Sequence, residues 1–118
     1  MLAELGLFSR ELGIPSSGVP ALREALSYYQ RADQLGDSLA SERLGEMYEE
    51  GIGEQRNYRL ARLSYHKACE DSWPFACARW GRLNDLGLGG PKRRATAFAA
   101  YQKACKAQVQ WACDQIAE

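Results

Sequence analysis

The chain has 118 residues, enough for one hydrophobic core, and its hydrophobic (46%) and charged (25%) fractions exclude a disordered chain. Fifteen basic residues balance fifteen acidic ones, so the overall charge gives no reason to expect a nucleic acid or an anionic membrane as the partner. We therefore expect one folded domain over residues 1–118, with no membrane insertion.

The first segment, residues 2–12, is predicted to be a helix belonging to a partial structural unit over 1–20. It contains Glu4, Arg10 and Glu11, and these charges exclude both a membrane span and the apolar core of a signal peptide. If the protein is exported, we expect its signal peptide to lie outside this sequence.

The rest of the chain superimposes on itself when it is shifted by 36 residues. The shift aligns three sets of Ala, Tyr and Ala, namely Ala25, Tyr29 and Ala32, then Ala61, Tyr65 and Ala68, then Ala97, Tyr101 and Ala104. It also carries Gly45 onto Gly81 and Gly51 onto Gly87. Because both core positions and turn glycines match, a true repeat is favoured over accidental similarity within an irregular helical bundle.

Each unit is predicted to be a helix hairpin. The spacing Ala-x3-Tyr-x2-Ala places three small or aromatic residues on one stripe of a first helix, A, and a second stripe predicts helix B. Gly36 separates A from B in the first unit, Pro74 suits a first helical turn, and Gly51 and Gly87 suit helix ends. Seven helices result: B over 2–12, A over 21–35, B over 38–50, A over 57–70, B over 74–86, A over 92–106 and B over 109–117.

With its motif LGEMYEEGIG at 44–53, the unit resembles the Sel1-like repeat, a relative of the tetratricopeptide repeat. The resemblance covers about residues 22–118 and departs from the pattern where Asn84 replaces a tyrosine and Ala117 a glycine. It implies an all-α fold, a right-handed α-solenoid of antiparallel helix pairs. Three repeats of 36 residues would then span about 21–56, 57–92 and 93–118.

Four cysteines form two pairs, each eight residues apart and related by the 36-residue shift: Cys69 with Cys77, and Cys105 with Cys113. Each pair flanks an A-to-B turn, where two sulfurs can approach to bonding distance. The resemblance to the cysteine-rich subgroup of the family implies two disulfides. Zinc binding and reduced, buried cysteines are the alternatives, although no C-x2-C knuckle is present.

Disulfides would place the protein in an oxidising compartment, either the bacterial periplasm or the extracellular space, with the mitochondrial intermembrane space as another option. In the first unit the equivalent positions hold Asp33 and Ser41, so a hairpin of this kind can close without sulfur.

Motifs for catalysis are sparse. His66 is the only histidine, and the shift aligns it with Gln30 and Gln102, which favours a solvated helix position. Ser64-x-x-Lys67 matches one motif of β-lactam-recognising enzymes, but the companion motifs S-D-N and K-T-G are absent from the sequence. We expect no enzyme, no metal and no cofactor, with a weak β-lactam-binding or hydrolysing activity as an alternative.

Charge is divided unevenly between the two helix types. The predicted A helices carry ten basic and three acidic side chains, whereas acids outnumber bases in the B helices. The resemblance implies that helix A lines the concave face of the solenoid, where partners of repeat proteins usually bind. We therefore expect a scaffold or adaptor for an acidic protein or peptide, with candidate contacts at Arg59, Arg62, His66, Lys67, Lys103 and Tyr28.

Two further interpretations stay open: an immunity or inhibitor protein that caps a toxic effector, and a solvated basic face without a specific partner. Lys92, Arg93 and Arg94 stand at a predicted helix start, where their charge opposes the helix dipole for no evident structural reason. The partial first unit and short last helix predict uncapped solenoid ends, which would favour a homo-oligomer or a fragment of a longer array.

Overall fold

The computed structural model describes residues 18–117, and within them it contains six α-helices and no strand. The helices are α1 (Gly18–Gln34), α2 (Ser38–Glu50), α3 (Tyr58–Glu70), α4 (Pro74–Leu86), α5 (Arg94–Lys106) and α6 (Gln110–Ile116). Each helix packs chiefly on its neighbours along the chain, the arrangement of a solenoid. The prediction of an all-α solenoid is confirmed. The helix predicted over 2–12 lies outside the described residues.

The helices begin and end at the residues that the sequence marks for these positions. The Asp37 carboxylate accepts the first N–H groups of α2, and the Asn57 side chain accepts the Leu60 N–H in α3. Gly51 and Gly87 end α2 and α4 with φ values of 73° and 71°, the left-handed conformation that glycine adopts without steric cost.

Helices α3 and α6 each begin one residue later than predicted, and two other starts differ by two or three residues. Helix α1 begins at Gly18 rather than at 21, because Pro20 lies in the first turn, where no N–H group is needed. Helix α5 begins at Arg94 rather than at 92. Arg93 stays extended, with φ −132° and ψ 86°, while its N–H donates to the Asn84 carbonyl over 2.9 Å.

A tyrosine from each following A helix packs directly on a glycine in the preceding B helix. A Cβ atom on Gly45 would lie 2.5 Å from the ring of Tyr65, and one on Gly81 would lie 3.0 Å from the ring of Tyr101. Both rings are buried. Glycine therefore allows a close approach of helices that alanine would obstruct.

The hydroxyl of each tyrosine binds an acid one helical turn beyond its glycine. Tyr65 donates to Glu49 over 2.8 Å, and Tyr101 donates to Asp85 over 3.3 Å. Burial raises the pKa of both phenols, and together with the Asp85 carboxylate it raises that of Tyr101 to about 12. The phenols therefore remain neutral donors at physiological pH.

All three A-to-B turns pass through a residue in the left-handed conformation: Gly36, Ser72 and Gln108, with φ values of 94°, 71° and 75°. These positions are 36 residues apart, so the turn has one backbone geometry throughout the solenoid. Left-handed geometry costs a residue with a Cβ atom about 1–2 kcal/mol, and Ser72 and Gln108 are held in it by their surroundings.

Two of the three hairpins are closed at this turn by a disulfide bond. Cys69 is bonded to Cys77 and Cys105 to Cys113, with Cα–Cα distances of 4.5 and 4.7 Å. All four sulfurs are thereby used, which excludes the zinc and free-thiol alternatives in this structure. In the first hairpin, at the equivalent positions, the Ser41 hydroxyl donates instead to the Asp33 carboxylate.

We expect Gly45→Ala to lower the free energy of unfolding by about 2–3 kcal/mol, because the added methyl group overlaps a fully buried ring. Gly81→Ala should lower the free energy of unfolding by less than about 1 kcal/mol. Its added methyl group would lie 3.0 Å from the Tyr101 ring, a smaller overlap, and the higher helix propensity of alanine offsets part of the cost. Urea denaturation monitored by circular dichroism measures both. Equal costs would contradict the difference in packing.

We expect native protein treated with iodoacetamide to take up no label, whereas reduced and denatured protein takes up four. Replacing Cys69 and Cys77 together by serine should lower stability by about 2.5 kcal/mol, the chain-entropy estimate for a nine-residue loop. Intact mass and denaturation measure the two effects. Four labels on the native protein would show that the bonds are not formed.

Candidate functional site

Two open grooves lie between successive A helices, with a B helix as the floor of each. The α1–α3 groove, of about 460 Å³, is lined by Gln30, Asp33, Gln34, Leu44, Tyr48, Leu60, Leu63, Ser64 and Lys67. The α3–α5 groove, of about 510 Å³, is lined by Arg59, Arg62, Leu63, His66, Trp80, Asn84, Gly89, Gly90, Pro91, Arg93 and Thr96. They meet at Leu63, which is 55% exposed.

The two grooves are the same surface in consecutive repeats. Four lining positions of one correspond to four of the other by the 36-residue shift: Gln30 and His66, Leu44 and Trp80, Tyr48 and Asn84, Leu60 and Thr96. The surface is thus continuous over the face of the A helices, while its side chains change from one repeat to the next.

Charges in the α1–α3 groove are compensated. The Lys67 ammonium lies 2.9 Å from the Asp33 carboxylate and also donates to the Asp33 carbonyl over 3.1 Å. Gln30 donates to the Tyr48 hydroxyl over 3.0 Å. Lys103 repeats the backbone contact one unit later, donating to the Cys69 carbonyl over 3.1 Å. Both lysines therefore bind the carboxyl end of the preceding A helix, a stabilising contact.

The α3–α5 groove has a different composition. His66 stacks on Trp80, with ring centroids 4.3 Å apart and planes 17° apart, and its Nε2 atom lies 3.3 Å from the Glu70 carboxylate. Arg59 and Arg93 are exposed on the walls of this groove. The histidine expected to be solvated is thus half-buried against an aromatic ring.

Arg62 corrects one expectation about the basic face. It is only 9% exposed, because its guanidinium group lies against the loop that precedes α5. It donates to Asn84 Oδ1 over 2.6 Å and to the carbonyls of Leu88 and Pro91 over 3.2 and 2.7 Å. Arg62 is therefore a buried residue of the groove wall and does not extend into solvent.

The 36-residue alignment of the repeats indicates that Arg62 occupies a buried position. Arg62 corresponds to Leu26, which is buried, and Asn84 corresponds to the core residue Tyr48. A polar pair has thus replaced an apolar pair at two equivalent core positions. Trp80, the stacking partner of His66, corresponds to the core residue Leu44.

Tyr28 is 68% exposed on α1, where it makes an edge contact with Tyr29 at 5.4 Å between ring centroids. It lines neither groove. The structure therefore brings Arg59, Arg62 and His66 together in one groove, Lys67 into the neighbouring one, and neither Tyr28 nor Lys103 into either.

On the B-helix face, the arginines form ion pairs with carboxylates. Arg79 pairs with Glu46, and Arg82 pairs with Glu49, each across two successive B helices. Arg94, at the start of α5, lies 2.9 Å from Asp85 of α4. Arg94 thus has a structural partner, which explains one member of the basic cluster at 92–94.

Ser64 lines the α1–α3 groove, near Lys67 of the Ser-x-x-Lys motif. The Lys67 ammonium group is paired with the Asp33 carboxylate, so Lys67 is not placed to act as a base for Ser64.

Among residues 18–117, no three His, Cys, Asp or Glu side chains are grouped so that they could hold a metal ion. No helix in this part of the chain is both long and apolar enough to cross a membrane.

A comparison with protein families matches the Sel1 repeat to residues 2–37, 38–72 and 74–109. The chain belongs to the Sel1 repeat family. Two of the matched segments begin at or beside the first residues of α2 and α4, so this division of the repeats starts at helix B. A search of curated proteins finds no match.

Several solved structures have the same Sel1 fold. Cysteine rich protein B of Helicobacter pylori is 27% identical, with a TM-score of 0.72 over 77% of this chain and 68% of its own. A Sel1 repeat protein from Oxalobacter formigenes is 30% identical, with a TM-score of 0.72 over 80% of this chain and 38% of its own.

A protective antigen of uropathogenic Escherichia coli strains is 26% identical, with a TM-score of 0.74 over 77% of this chain. The chain spans only 20% of that antigen's length. The Sel1 repeat family is generally non-enzymatic, and its repeats commonly serve as scaffolds for protein interactions.

We expect Arg62→Ala to lower the free energy of unfolding by about 2–3 kcal/mol, because it leaves the buried Asn84 oxygen without its donor. Arg59→Ala, on the exposed wall of the same groove, should change stability by less than about 0.5 kcal/mol. Denaturation of both variants measures the contrast, and a stable Arg62→Ala protein would contradict the buried role.

Proposed function

We propose that this Sel1 repeat domain is a non-catalytic scaffold that binds an acidic protein or peptide on the face of its A helices, with the α3–α5 groove as the main contact. The observation that carries the proposal is a difference in charge compensation between the two faces. Arg79 and Arg82 on the B-helix face are paired with carboxylates, whereas no arginine of the α3–α5 groove has such a partner among residues 18–117.

Three arginines of this groove, Arg59, Arg62 and Arg93, have no carboxylate oxygen within 4.0 Å among residues 18–117. Arginine is well suited to carboxylates, because its planar guanidinium group can donate two parallel hydrogen bonds. An acidic partner would supply the negative charge that the protein's own side chains supply on the opposite face.

The groove also has the shape and side chains of an interaction surface. It is open along its length, it continues into the α1–α3 groove through the exposed Leu63, and the His66–Trp80 stack forms part of its wall. Aromatic and arginine side chains are the ones most enriched among residues that dominate binding energy at protein interfaces.

We infer further that the protein works outside the reducing cytoplasm. The two disulfides support this location, since such bonds persist in the periplasm and outside the cell but are rare in the cytosol. The structural likeness to a cysteine rich protein of Helicobacter pylori supports it as well.

The test is quantitative capture of partners from the compartment in which the protein occurs, followed by mass spectrometry. We expect the variant Arg59→Glu with Arg93→Glu to lose the partner retained by the wild type. Arg43→Glu with Arg56→Glu is the matched control, since it makes the same change in net charge at exposed positions outside both grooves.

A partner lost by the groove variant and kept by the control supports the proposal. Raising the ionic strength from 0.05 to 0.5 M should weaken the same interaction, because screening shortens the range of charge attraction. Equal retention of the partner by both variants would show that the A-helix face is not the binding site.

A further inference from the structure

The aromatic wall of the α3–α5 groove has no counterpart in the α1–α3 groove. Trp80 stands where the first repeat has Leu44, and His66 stands where it has Gln30. Leu44 is only 2% exposed, whereas Trp80 is half-buried and lines the open space of the groove. One part of the indole ring packs on the core, so the larger side chain leaves the remainder of its ring in the groove.

His66 and Trp80 together form a flat surface, which we name the aromatic platform. Their ring centroids lie 4.3 Å apart, their planes are 17° apart, and 42% of the His66 side chain remains exposed. Leu63 and Pro91, both exposed, lie in the lining of the same groove. Apolar and aromatic side chains that are grouped in a concave surface are typical of a binding site.

Two further differences reduce the bulk of the side chains around the platform. Tyr48 and Leu60 of the α1–α3 groove are replaced by Asn84 and Thr96 in the α3–α5 groove. Asn84 is only 1% exposed, and its amide group donates to the Trp80 carbonyl over 2.8 Å. The α3–α5 groove therefore combines smaller neighbours with a larger aromatic surface, and its volume of about 510 Å³ lies in the range of ligand pockets.

Exposed cations border the platform. Arg59 and Arg93 line the same groove, and neither has a carboxylate oxygen within 4.0 Å in the described part of the chain. Exposed charges at the rim of an interface mainly speed the encounter and orient the partner, whereas buried aromatic contacts contribute most of the affinity. The two arginines alone would therefore select an acidic segment but bind it weakly.

We propose that the aromatic platform is the anchor site of the groove and takes one aromatic side chain from the partner's acidic segment, while neighbouring carboxylates reach Arg59 and Arg93. Stacked aromatic rings attract each other more strongly than their buried area alone would provide. The inference rests on the proposed function and specifies its partner: the bound segment carries an aromatic residue among its acids.

The test uses two capped heptapeptides of glutamate, one with phenylalanine and one with alanine at the central position. Each is added in increasing amounts to oxidised, 15N-labelled protein while NMR signals are recorded, a method that also measures weak binding. We expect the phenylalanine peptide to bind the wild type about tenfold more tightly than the alanine peptide, a difference of about 1.4 kcal/mol. The indole N–H signal of Trp80 should shift, while those of Trp73 and Trp111 stay unmoved.

The variant Trp80→Leu gives the groove the residue found at Leu44, and Trp73→Leu is its matched control, because Trp73 is exposed and lines neither groove. The advantage of the phenylalanine peptide should fall below about threefold in Trp80→Leu and persist in Trp73→Leu. Equal binding of the alanine peptide by wild type and Trp80→Leu would show that the variant is folded. If it does not fold, His66→Gln, which copies Gln30, serves in its place and should reduce the same advantage at least threefold.

The remaining outcomes separate this anchor from the broader proposal. Equal affinity of the wild type for the phenylalanine and alanine peptides would overturn the anchor and leave an acidic partner in place. A leucine peptide that binds as tightly as the phenylalanine peptide would overturn the choice of an aromatic side chain. An advantage that persists in Trp80→Leu or, where that variant does not fold, in His66→Gln would overturn the assignment to the platform. Failure of every peptide to bind the wild type would contradict the proposed function itself, and the anchor with it.

Discussion

The contact between a tyrosine ring and a glycine of the preceding helix sets the geometry of this solenoid. Tyr65 on Gly45 and Tyr101 on Gly81 fix how closely an A helix approaches a B helix, and the bond from each hydroxyl to an acid fixes its rotation. One face of each A helix is therefore buried in the core. The opposite face is left to form the two grooves, so their position follows from this buried contact.

Much of the fold could be predicted because its determinants are local and repeated. The apolar stripes of the helices, the capping residues and the turn glycines each lie within a single repeat unit. Because most of them recur 36 residues later, each prediction could be compared with the equivalent position in the next unit. The composition of the groove was harder to predict. Arg62 and Asn84 become partners only when the chain folds, since 22 residues separate them and each has an apolar or aromatic equivalent in the first unit. A count of charges along a helix assigns Arg62 to the surface, whereas its burial depends on the loop before α5.

The two faces of the protein use charge for different purposes. On the B-helix face, arginines and glutamates 33 residues apart form partly buried ion pairs that link successive repeats. On the A-helix face, Lys67 and Lys103 bind helix ends, and the arginines of the α3–α5 groove have no acidic partner in the described part of the chain. A neutral chain can therefore carry a locally positive surface, which its overall composition conceals.

The bonds that close the three hairpin turns differ in kind along the solenoid. The first turn is closed by the Ser41–Asp33 hydrogen bond, and the next two are closed by disulfides. A thiol reductant would consequently act on the second and third hairpins and leave the first unaffected. Since α3 and α5 both lead into disulfide-closed turns, the walls of the positively charged groove belong to the redox-sensitive part of the chain, while α1 belongs to the insensitive part. The stiffness of the A-helix face would thus vary with the oxidation state of the compartment that contains the protein.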